Sequence, residues 1–280
     1  KLGEKGESPH ILVMTATPIP RTLAVILYGE LSMSVIDALP AGRQEIVTKE
    51  IKEEQRAEMY LSLKKEFAKG RQAYVVTPLI EESESLENVS STETLYGELK
   101  KLYGDSVSMA IVHGAMKQSE KDSVMENFSK GKIDLLIATS VIEVGIDVPN
   151  STVMVIENAE RFGLAQLHQL RGRVGRGKHQ SYCYLINKGT GDVAKKRMKI
   201  MCSSSDGFYI SEKDLELRGP GEIFGVRQHG LPDECIVDAV KHVDILEAAQ
   251  RDAREFAGKT GKIVNYKVVK MFDGNFSIGL

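Results

Sequence analysis

Three arginines and three glycines share the segment QLHQLRGRVGRG, which runs from Gln166 to Gly177. A guanidinium offers fixed, forked hydrogen-bond donors and keeps its charge, so Arg171, Arg173 and Arg176 could grip the oxygens of one phosphoryl group. Arginines used in this way accelerate nucleotide hydrolysis by roughly 10³ to 10⁵. From the arginines alone, a solvated basic helix end is an equally good interpretation. The segment therefore indicates phosphate chemistry without establishing it.

The spacing within this segment is more specific than its composition. Gln169, Gly172, Arg173, Gly175 and Arg176 form the pattern Q-x-x-G-R-x-G-R, which resembles motif VI of the superfamily 2 helicases. The resemblance implies that Arg173, Arg176 and Gln169 act on the transferred phosphoryl group. It also implies that Gly172 and Gly175 shape the nucleotide site, and that ATP with Mg²⁺ is the cofactor.

The elements that must position these residues follow from hydrophobic periodicity. Leu164, Leu167 and Leu170 recur at every third position, so the arginine segment begins as a helix with one face docked on a sheet. From residue 46 onward, apolar runs alternate with amphipathic stretches, which predicts an α/β lobe with a mainly parallel sheet covered on both faces. The helicase resemblance implies a RecA-like lobe. Strands are predicted at 46–51, 73–77, 107–112, 133–138, 152–157 and 181–186, and helices at 53–69, 92–103 and 118–128.

Two of these boundaries depend on polar residues. The stretch EESESLENVSS, residues 81–91, is acidic and serine-rich, which predicts a loop. Thr92 follows it and is predicted to cap the next helix at its N-terminus.

Hydroxyl groups stand at the end of a predicted strand in ATSVIEVGIDVP, residues 138–149. Thr139 and Ser140 can reach a backbone phosphate, Gly145 permits a tight turn, and Asp147 can accept a hydrogen bond from a ribose hydroxyl. Taken singly these residues are ordinary loop chemistry, but in sequence they resemble helicase motif V. The resemblance makes Gly145 and Asp147 part of the nucleotide site and Thr139 and Ser140 DNA contacts.

Two further segments suggest contacts to nucleic acid. His113 follows a predicted strand and lacks partners at metal-ligand spacing, so a phosphate contact is the better interpretation. The segment HGAMKQSEKD that it opens resembles the part of these helicases that lies along the tracked strand. TATPIPRTLA resembles helicase motif III, in which hydroxyls such as those of Thr15 and Thr17 link the nucleotide and nucleic-acid sites.

The stretch DLELRGPGEIFGVRQHG, residues 214–230, contains four glycines and a proline, which exclude one continuous helix. A stabilising C-terminal hairpin is the plain interpretation. The stretch is nevertheless very similar to the translocation motif of the RecG branch-migration helicases and of the transcription-repair coupling factor. That likeness implies that Arg218, Arg227 and Gln228 couple lobe movement to DNA tracking. The glycines and proline at 219–221 favour the RecG family, and the likeness extends from about residue 9 to residue 230.

The sequence contains neither G-x-x-x-x-G-K followed by Ser or Thr nor D-E-x-H, the motifs that hold ATP phosphates and magnesium in this family. We therefore expect a C-terminal part of a larger helicase, inactive alone, whose partners include a missing first helicase lobe and an N-terminal wedge domain. The predicted divisions are 1–44 (end of the first lobe), 45–197 (second lobe), 198–235 (translocation motif) and 236–280 (C-terminal helix and tail). The strand at 11–17, without its sheet, predicts a displaced position or strand-exchanged self-association.

Composition sets wider limits. With 42% hydrophobic and 27% charged residues the chain is typical of soluble globular proteins. It has no apolar run of the ~20 residues that span a membrane, so we expect a cytoplasmic protein, and the RecG resemblance implies a bacterial one. Cys183, Cys202 and Cys235 are odd in number and far apart, which argues against disulfides and against a metal site.

Charge is unevenly distributed despite a net charge of −2. Between residues 161 and 199 Asp192 is the only acid, and a local basic patch is what attracts polyanions. The RecG resemblance implies branched double-stranded DNA as the partner, and the lack of a base-reading motif fits an enzyme that recognises the shape of a fork. The alternatives are a DNA-binding or regulatory module without ATPase activity, a transcription-repair coupling translocase, or an RNA helicase. The basic residues of the patch are Arg161, Arg171, Arg173, Arg176, Lys178, Lys188, Lys195, Lys196, Arg197 and Lys199.

Overall fold

The computed structural model of this chain describes residues 44–78, 85–139 and 148–218 continuously, with single positions between 12 and 36 and between 245 and 255. The chain divides into two compact units, and residues 44–217 all belong to the unit that contains the sheet. The predicted contacts of residues 1–39 with a second lobe or a second chain fall almost wholly outside the described residues.

Within these residues, six parallel strands form one sheet in the order β1-β6-β5-β2-β4-β3. Each strand lies within two residues of its predicted position. Parallel strands require crossovers, which the intervening helices supply. The strands are β1 Val47–Lys52, β2 Gln72–Thr77, β3 Met109–Val112, β4 Leu135–Thr139, β5 Ser151–Ile156 and β6 Tyr182–Asn187.

The three central strands, β2, β4 and β5, are buried along their whole length. Their side chains alternate between two cores, as the period of two in a strand requires. Tyr74 and Val76 face one core, whereas Ala73 and Val75 face the other. This double burial explains why the central strands are continuous apolar runs in the sequence.

Helices cover both faces of the sheet. They are α1 Glu53–Ser62, α2 Lys64–Ala68, α3 Ser85–Tyr103, α4 Gln118–Ser129, α5 Leu164–Arg171, α6 Asp192–Ser203 and α7 Gly207–Arg218, with a 3₁₀ turn at Ala159–Arg161. Helices α1 and α3 contribute side chains to one core. Helices α4, α5, α6 and α7 contribute to the other, which therefore lies beneath the arginine segment.

Helix α3 begins earlier than predicted. It starts at Ser85, so the predicted loop at residues 81–91 is wrong from Ser85 onward. Thr92 lies inside the helix and caps nothing. It is fully buried, and its Oγ1 is 3.2 Å from Oγ1 of Thr77 at the end of β2. The polar composition of this stretch therefore does not report its backbone conformation.

Smaller differences concern helix continuity. The helix predicted at 53–69 is interrupted at Leu63, which is buried together with Met59. Helix α6 runs through the predicted boundary between residues 197 and 198, and Met198 and Met201 belong to the same core as the sheet. The four-part division of the chain remains a prediction. The positions described between 245 and 255 are helical, and they lie within the predicted division 236–280.

Candidate nucleotide and nucleic-acid site

The carboxyl ends of the parallel strands bring His113 and Thr139 together. Val112 pairs with Ala138 across β3 and β4, so the residues that follow are neighbours at one edge of the sheet. Thr139 is only 2% exposed. Within the described residues, neither its Oγ1 nor Nδ1 of His113 has a hydrogen-bond partner, although both atoms are buried. Buried polar atoms are normally paired, so these two are candidates for a ligand contact.

Helix α5 positions the arginine segment as the leucine spacing predicted. Leu164, Leu167 and Leu170 are all buried, which fixes the helix on the sheet. Its N-terminus is closed by Gln166, whose Oε1 accepts a hydrogen bond from the main-chain N–H of Gly163 at 3.0 Å. Gln169 is exposed on the opposite face.

Beyond the helix the chain continues in a tight turn. Gly172 ends α5, and the N–H of Arg173 donates to the carbonyl of Leu170 at 3.0 Å. Arg173 is half-buried and Arg176 is exposed. The Nε of Arg176 donates to the carbonyl of Gly172 at 3.2 Å, which fixes the guanidinium over the helix end. The structure thus presents Arg173 and Arg176 from one turn.

Gly175 is required twice over in this turn. Its φ of +76° lies in the left-handed region that other residues adopt only with strain. A Cβ atom there would also lie 2.8 Å from Cγ1 of Ile46. The resemblance assigns Gly175 to the nucleotide site, and the structure shows that its conformation shapes the segment that carries the arginines.

Arg171 does not join the other two arginines. It is only 3% exposed, and Nη1 donates to the carbonyl groups of Met201 and Ser204 at 2.9 Å each. Nη1 also lies 3.4 Å from Oγ1 of Thr48, and Nη2 lies 3.1 Å from Nδ1 of His168. Burial lowers the pKa of Arg171. Arg171 is therefore buried against α6, apart from the turn that carries Arg173 and Arg176.

A buried carboxylate at the same sheet edge has no signal in the sequence. Glu157 follows β5 and is 4% exposed. Its Oε1 accepts hydrogen bonds from Nε of Arg56 at 2.8 Å and from the hydroxyl of Tyr60 at 2.7 Å. Burial and the nearby Glu157 carboxylate raise the pKa of Tyr60. Arg56 is 101 residues from Glu157, so no local pattern could reveal the pair.

Several predicted site residues cannot be placed. Arg218 is the last residue of α7, and its side chain is not described. The others lie outside the described residues. They are Thr15, Thr17, Ser140, Gly145, Asp147, Arg227 and Gln228.

The basic patch of the sequence is divided in the structure. Arg171 is buried, and Lys188 forms an ion pair with Glu53 at 3.4 Å. Lys195, Lys196 and Lys199 are exposed on α6. The exposed positive charge therefore concentrates on α6 and on the turn after α5. No helix long and apolar enough to span a membrane occurs in the part of the chain that the structure describes.

Comparison with known proteins agrees with this geometry. Residues 50–178 match the family described as helicase conserved C-terminal domain. The chain is 50% identical over 252 residues to the ATP-dependent DNA helicase RecG of Streptococcus pneumoniae, covering 90% of this chain and 37% of the relative. It is 48% identical over 253 residues to the Bacillus subtilis protein of the same name, with the same coverage of 90% and 37%.

A solved structure of RecG bound to a three-way DNA junction has the same fold. Its TM-score is 0.65 at 44% identity, and the match covers 83% of this chain and 30% of that one. The predicted fold, a RecA-like helicase lobe with a parallel sheet covered by helices, is confirmed. The chain spans about a third of the length of these relatives. It belongs to the RecG family, of which it contains the helicase C-terminal lobe.

Proposed function

We propose that this chain supplies the second motor lobe of an ATP-dependent helicase that moves on branched double-stranded DNA. One observation carries the proposal most directly. Arg173 and Arg176 project from one turn. Gly175 and the buried leucine face of α5 set the conformation of that turn. Arginines held in this way act on a developing phosphoryl charge without costly reorganisation when the reaction occurs. The RecG proteins matched above carry the description ATP-dependent DNA helicase, which supports the same activity here.

In this proposal the chain completes a nucleotide site that begins on another lobe. Arg173 and Arg176 stabilise negative charge on the transferred γ-phosphoryl group, and Gln169 orients groups beside it. Gly172 and Gly175 allow the backbone to turn there, while Gly145 and Asp147 form the loop that senses the ribose. Mg²⁺ bound with the nucleotide would supply positive charge that neutralises the negative charge developing on the phosphates. The motifs that bind Mg²⁺ in this family are not in this sequence.

DNA contacts in this proposal come from the carboxyl edge of the sheet. His113 and Thr139 present polar atoms that lack partners within the described residues, and Ser140 follows directly. Arg218, Arg227 and Gln228 pass the lobe movement to DNA. The similar RecG structure, which is bound to a three-way DNA junction, supports branched DNA as the substrate class.

Substrate preference in the full-length protein tests this proposal. ATP turnover is measured with forked DNA, linear duplex DNA and duplex RNA, and we expect the strongest stimulation by forked DNA. The isolated 280-residue chain is the control and should bind forked DNA without turnover. Equal stimulation by duplex RNA would favour an RNA helicase. Salt-dependent binding without any ATP turnover in the full-length protein would favour a DNA-binding module.

A further inference from the structure

The pairing register of the sheet lines up four polar residues at its carboxyl edge. The last apolar residues paired across β3, β4, β2 and β5 all belong to the core to which α5 contributes, and they are Val112, Ala138, Val76 and Ile156. Successive side chains of a strand point to opposite faces, so the next residue of each strand points to the face that α1 and α3 cover. In sheet order, these next residues are His113, Thr139, Thr77 and Glu157.

Side-chain contacts confirm this orientation at two positions of the row. Oγ1 of Thr77 lies 3.2 Å from Oγ1 of Thr92 on α3. Oε1 of Glu157 accepts a hydrogen bond from Nε of Arg56 on α1. Neighbouring strands lie about 4.8 Å apart, so the row from His113 to Glu157 is about 14 Å long. This length matches about four nucleotides of a DNA strand at ~3.4 Å each.

Arg56 places a positive charge beside the Glu157 end of this row. Its Nη1 and Nη2 atoms both bond Oε2 of Glu98, at 3.3 and 3.2 Å. The Glu98 side chain is 53% exposed and that of Arg56 is 21% exposed, so solvent reaches this end of the guanidinium. A guanidinium has five N–H groups. The bonds to Glu157 and Glu98 use three of them, so two can serve another acceptor.

The inner end of Arg56 is held by buried groups. Glu157 accepts bonds from both Arg56 and Tyr60, and the guanidinium lies 5.2 Å from the centre of the Tyr60 ring. The hydroxyl of Tyr103 bonds the carbonyl of Tyr60 at 2.7 Å. A buried ion pair adds little net stability, because removing both charges from water is costly. Its effect here is orientation, since one end of the guanidinium is fixed and the other stays accessible beside Glu98.

We propose that Arg56 is a further DNA-binding residue, which bonds a backbone phosphate in place of Glu98. This inference rests on the proposed function, because it extends the DNA contact of His113 and Thr139 along the same edge. Exposed ion pairs such as that of Arg56 with Glu98 are weak. A guanidinium binds phosphate through two parallel, charge-assisted bonds. Glu157 keeps Arg56 in place while its outer end changes partner.

The salt dependence of fork binding by the full-length protein tests this contact. Each phosphate contact contributes about 0.9 to the slope of log K against log salt concentration. R56M/E157Q removes the cation together with the buried charge that needs it, and we expect its slope to be smaller than that of the wild type by about 0.9. R71M is the matched control, because Arg71 is also half-buried and bonds Oδ1 of Asn150 near the opposite edge of the sheet. Its slope should not change.

A second variant leaves the buried pair untouched. E98Q removes the carboxylate that competes with phosphate for Arg56, and it should tighten fork binding about two- to fivefold, as expected for the loss of a weak exposed ion pair. E58Q is its control, because Glu58 is also an exposed glutamate and lies on α1. It should change binding less than E98Q does.

The outcomes separate this inference from the proposed function. An unchanged salt slope in folded R56M/E157Q overturns the inference, and so does binding by E98Q that is no tighter than binding by E58Q. Where R56M/E157Q does not fold, the comparison of E98Q with E58Q decides. Absence of fork binding by the wild type overturns the proposed function itself.

Discussion

The backbone at Gly177 lies against the carbonyl group of Pro149, and a Cβ atom at Gly177 would stand 2.3 Å from that oxygen. No side chain fits such a gap without moving the main chain. Pro149 ends the segment that contains Gly145 and Asp147, and Gly177 ends the arginine segment. This close approach therefore places the end of the arginine segment directly beside Pro149.

Alanine at Gly177 should separate these two segments. We expect G177A to lower the free energy of unfolding by about 1–3 kcal/mol, the usual cost of forcing extra atoms into a packed site. Urea denaturation measures the change. G97A is the matched control, because nothing lies within 4 Å of a Cβ at Gly97 in the interior of α3. It should leave stability unchanged or slightly higher. Equal effects of the two substitutions would show that the contact with Pro149 is easily relaxed.

Removal of Arg56 should leave the Glu157 carboxylate buried without its cation. We expect R56M to lower the free energy of unfolding by about 3 kcal/mol, because breaking a buried ion pair on one side leaves an uncompensated charge. The double variant R56M/E157Q removes that charge and should recover part of the loss. Chemical denaturation of the three proteins measures both effects. If the double variant is less stable than R56M, the desolvated charge is not the main cause.

Alkaline conditions should destabilise this fold, because buried tyrosine and cysteine side chains resist losing their protons. Burial raises the pKa of Tyr103, and burial together with Glu157 raises that of Tyr60. Burial also raises the pKa of Cys183 to about 12. When the pKa of an acid is higher in the folded state than in the unfolded state, the unfolded chain loses the proton first. The free energy of unfolding is therefore constant below the unfolded-state pKa and decreases as pH rises from there to the folded-state pKa. Stability should therefore fall above about pH 9 for Cys183 and above about pH 10 for the tyrosines.

Phenylalanine at Tyr103 tests the sign of this effect. Y103F removes one titrating group and the bond from its hydroxyl to the carbonyl of Tyr60, 2.7 Å long. The slope of unfolding free energy against pH above pH 10 should become shallower by about 1.4 kcal/mol per pH unit. Urea denaturation between pH 8.5 and pH 11 measures the slope. An identical slope in wild type and Y103F would contradict the buried, neutral state of Tyr103.

The hydroxyl of Thr139 should matter for DNA binding more than for stability. T139V keeps the side-chain shape, and we expect roughly tenfold weaker binding of forked DNA by the full-length protein, the cost of one hydrogen bond to a charged group. The salt dependence should not change, because no charge is removed. T152V is the control: Thr152 is also buried with Oγ1 unpartnered in the described residues, but it is the second residue of β5, near the opposite edge of the sheet. Equal binding by T139V and T152V would exclude the phosphate contact.

The sequence predicted the elements whose pattern is local. The apolar runs of β2, β4 and β5 report burial on both faces, and the spacing of Leu164, Leu167 and Leu170 reports one docked helix face. The start of α3 was missed because serine and glutamate indicate solvent exposure without deciding between helix and loop. Glutamate and leucine are good helix formers, so residues from Ser85 onward can join the helix that carries the buried Leu95 and Leu99.

Partnerships between distant residues could not be predicted in the same way. Arg171 and Arg173 are identical in type and two positions apart, and only packing against α6 separates the buried residue from its neighbour. Thr92 carries a good capping side chain, but its hydroxyl meets Thr77 across the core. These differences depend on contacts between residues that are far apart in the sequence, so a local sequence pattern cannot predict them.

The central claim is that Arg173 and Arg176 serve ATP hydrolysis from this lobe. Single-turnover ATP hydrolysis by the full-length protein on forked DNA tests it most directly, with R173A and R176A compared with R71A at the opposite edge of the sheet. The account predicts that each of the first two variants slows hydrolysis by about 10³ or more while ATP and fork binding persist, and that R71A keeps nearly full rate. Hydrolysis by R173A and R176A at the rate of R71A would contradict it.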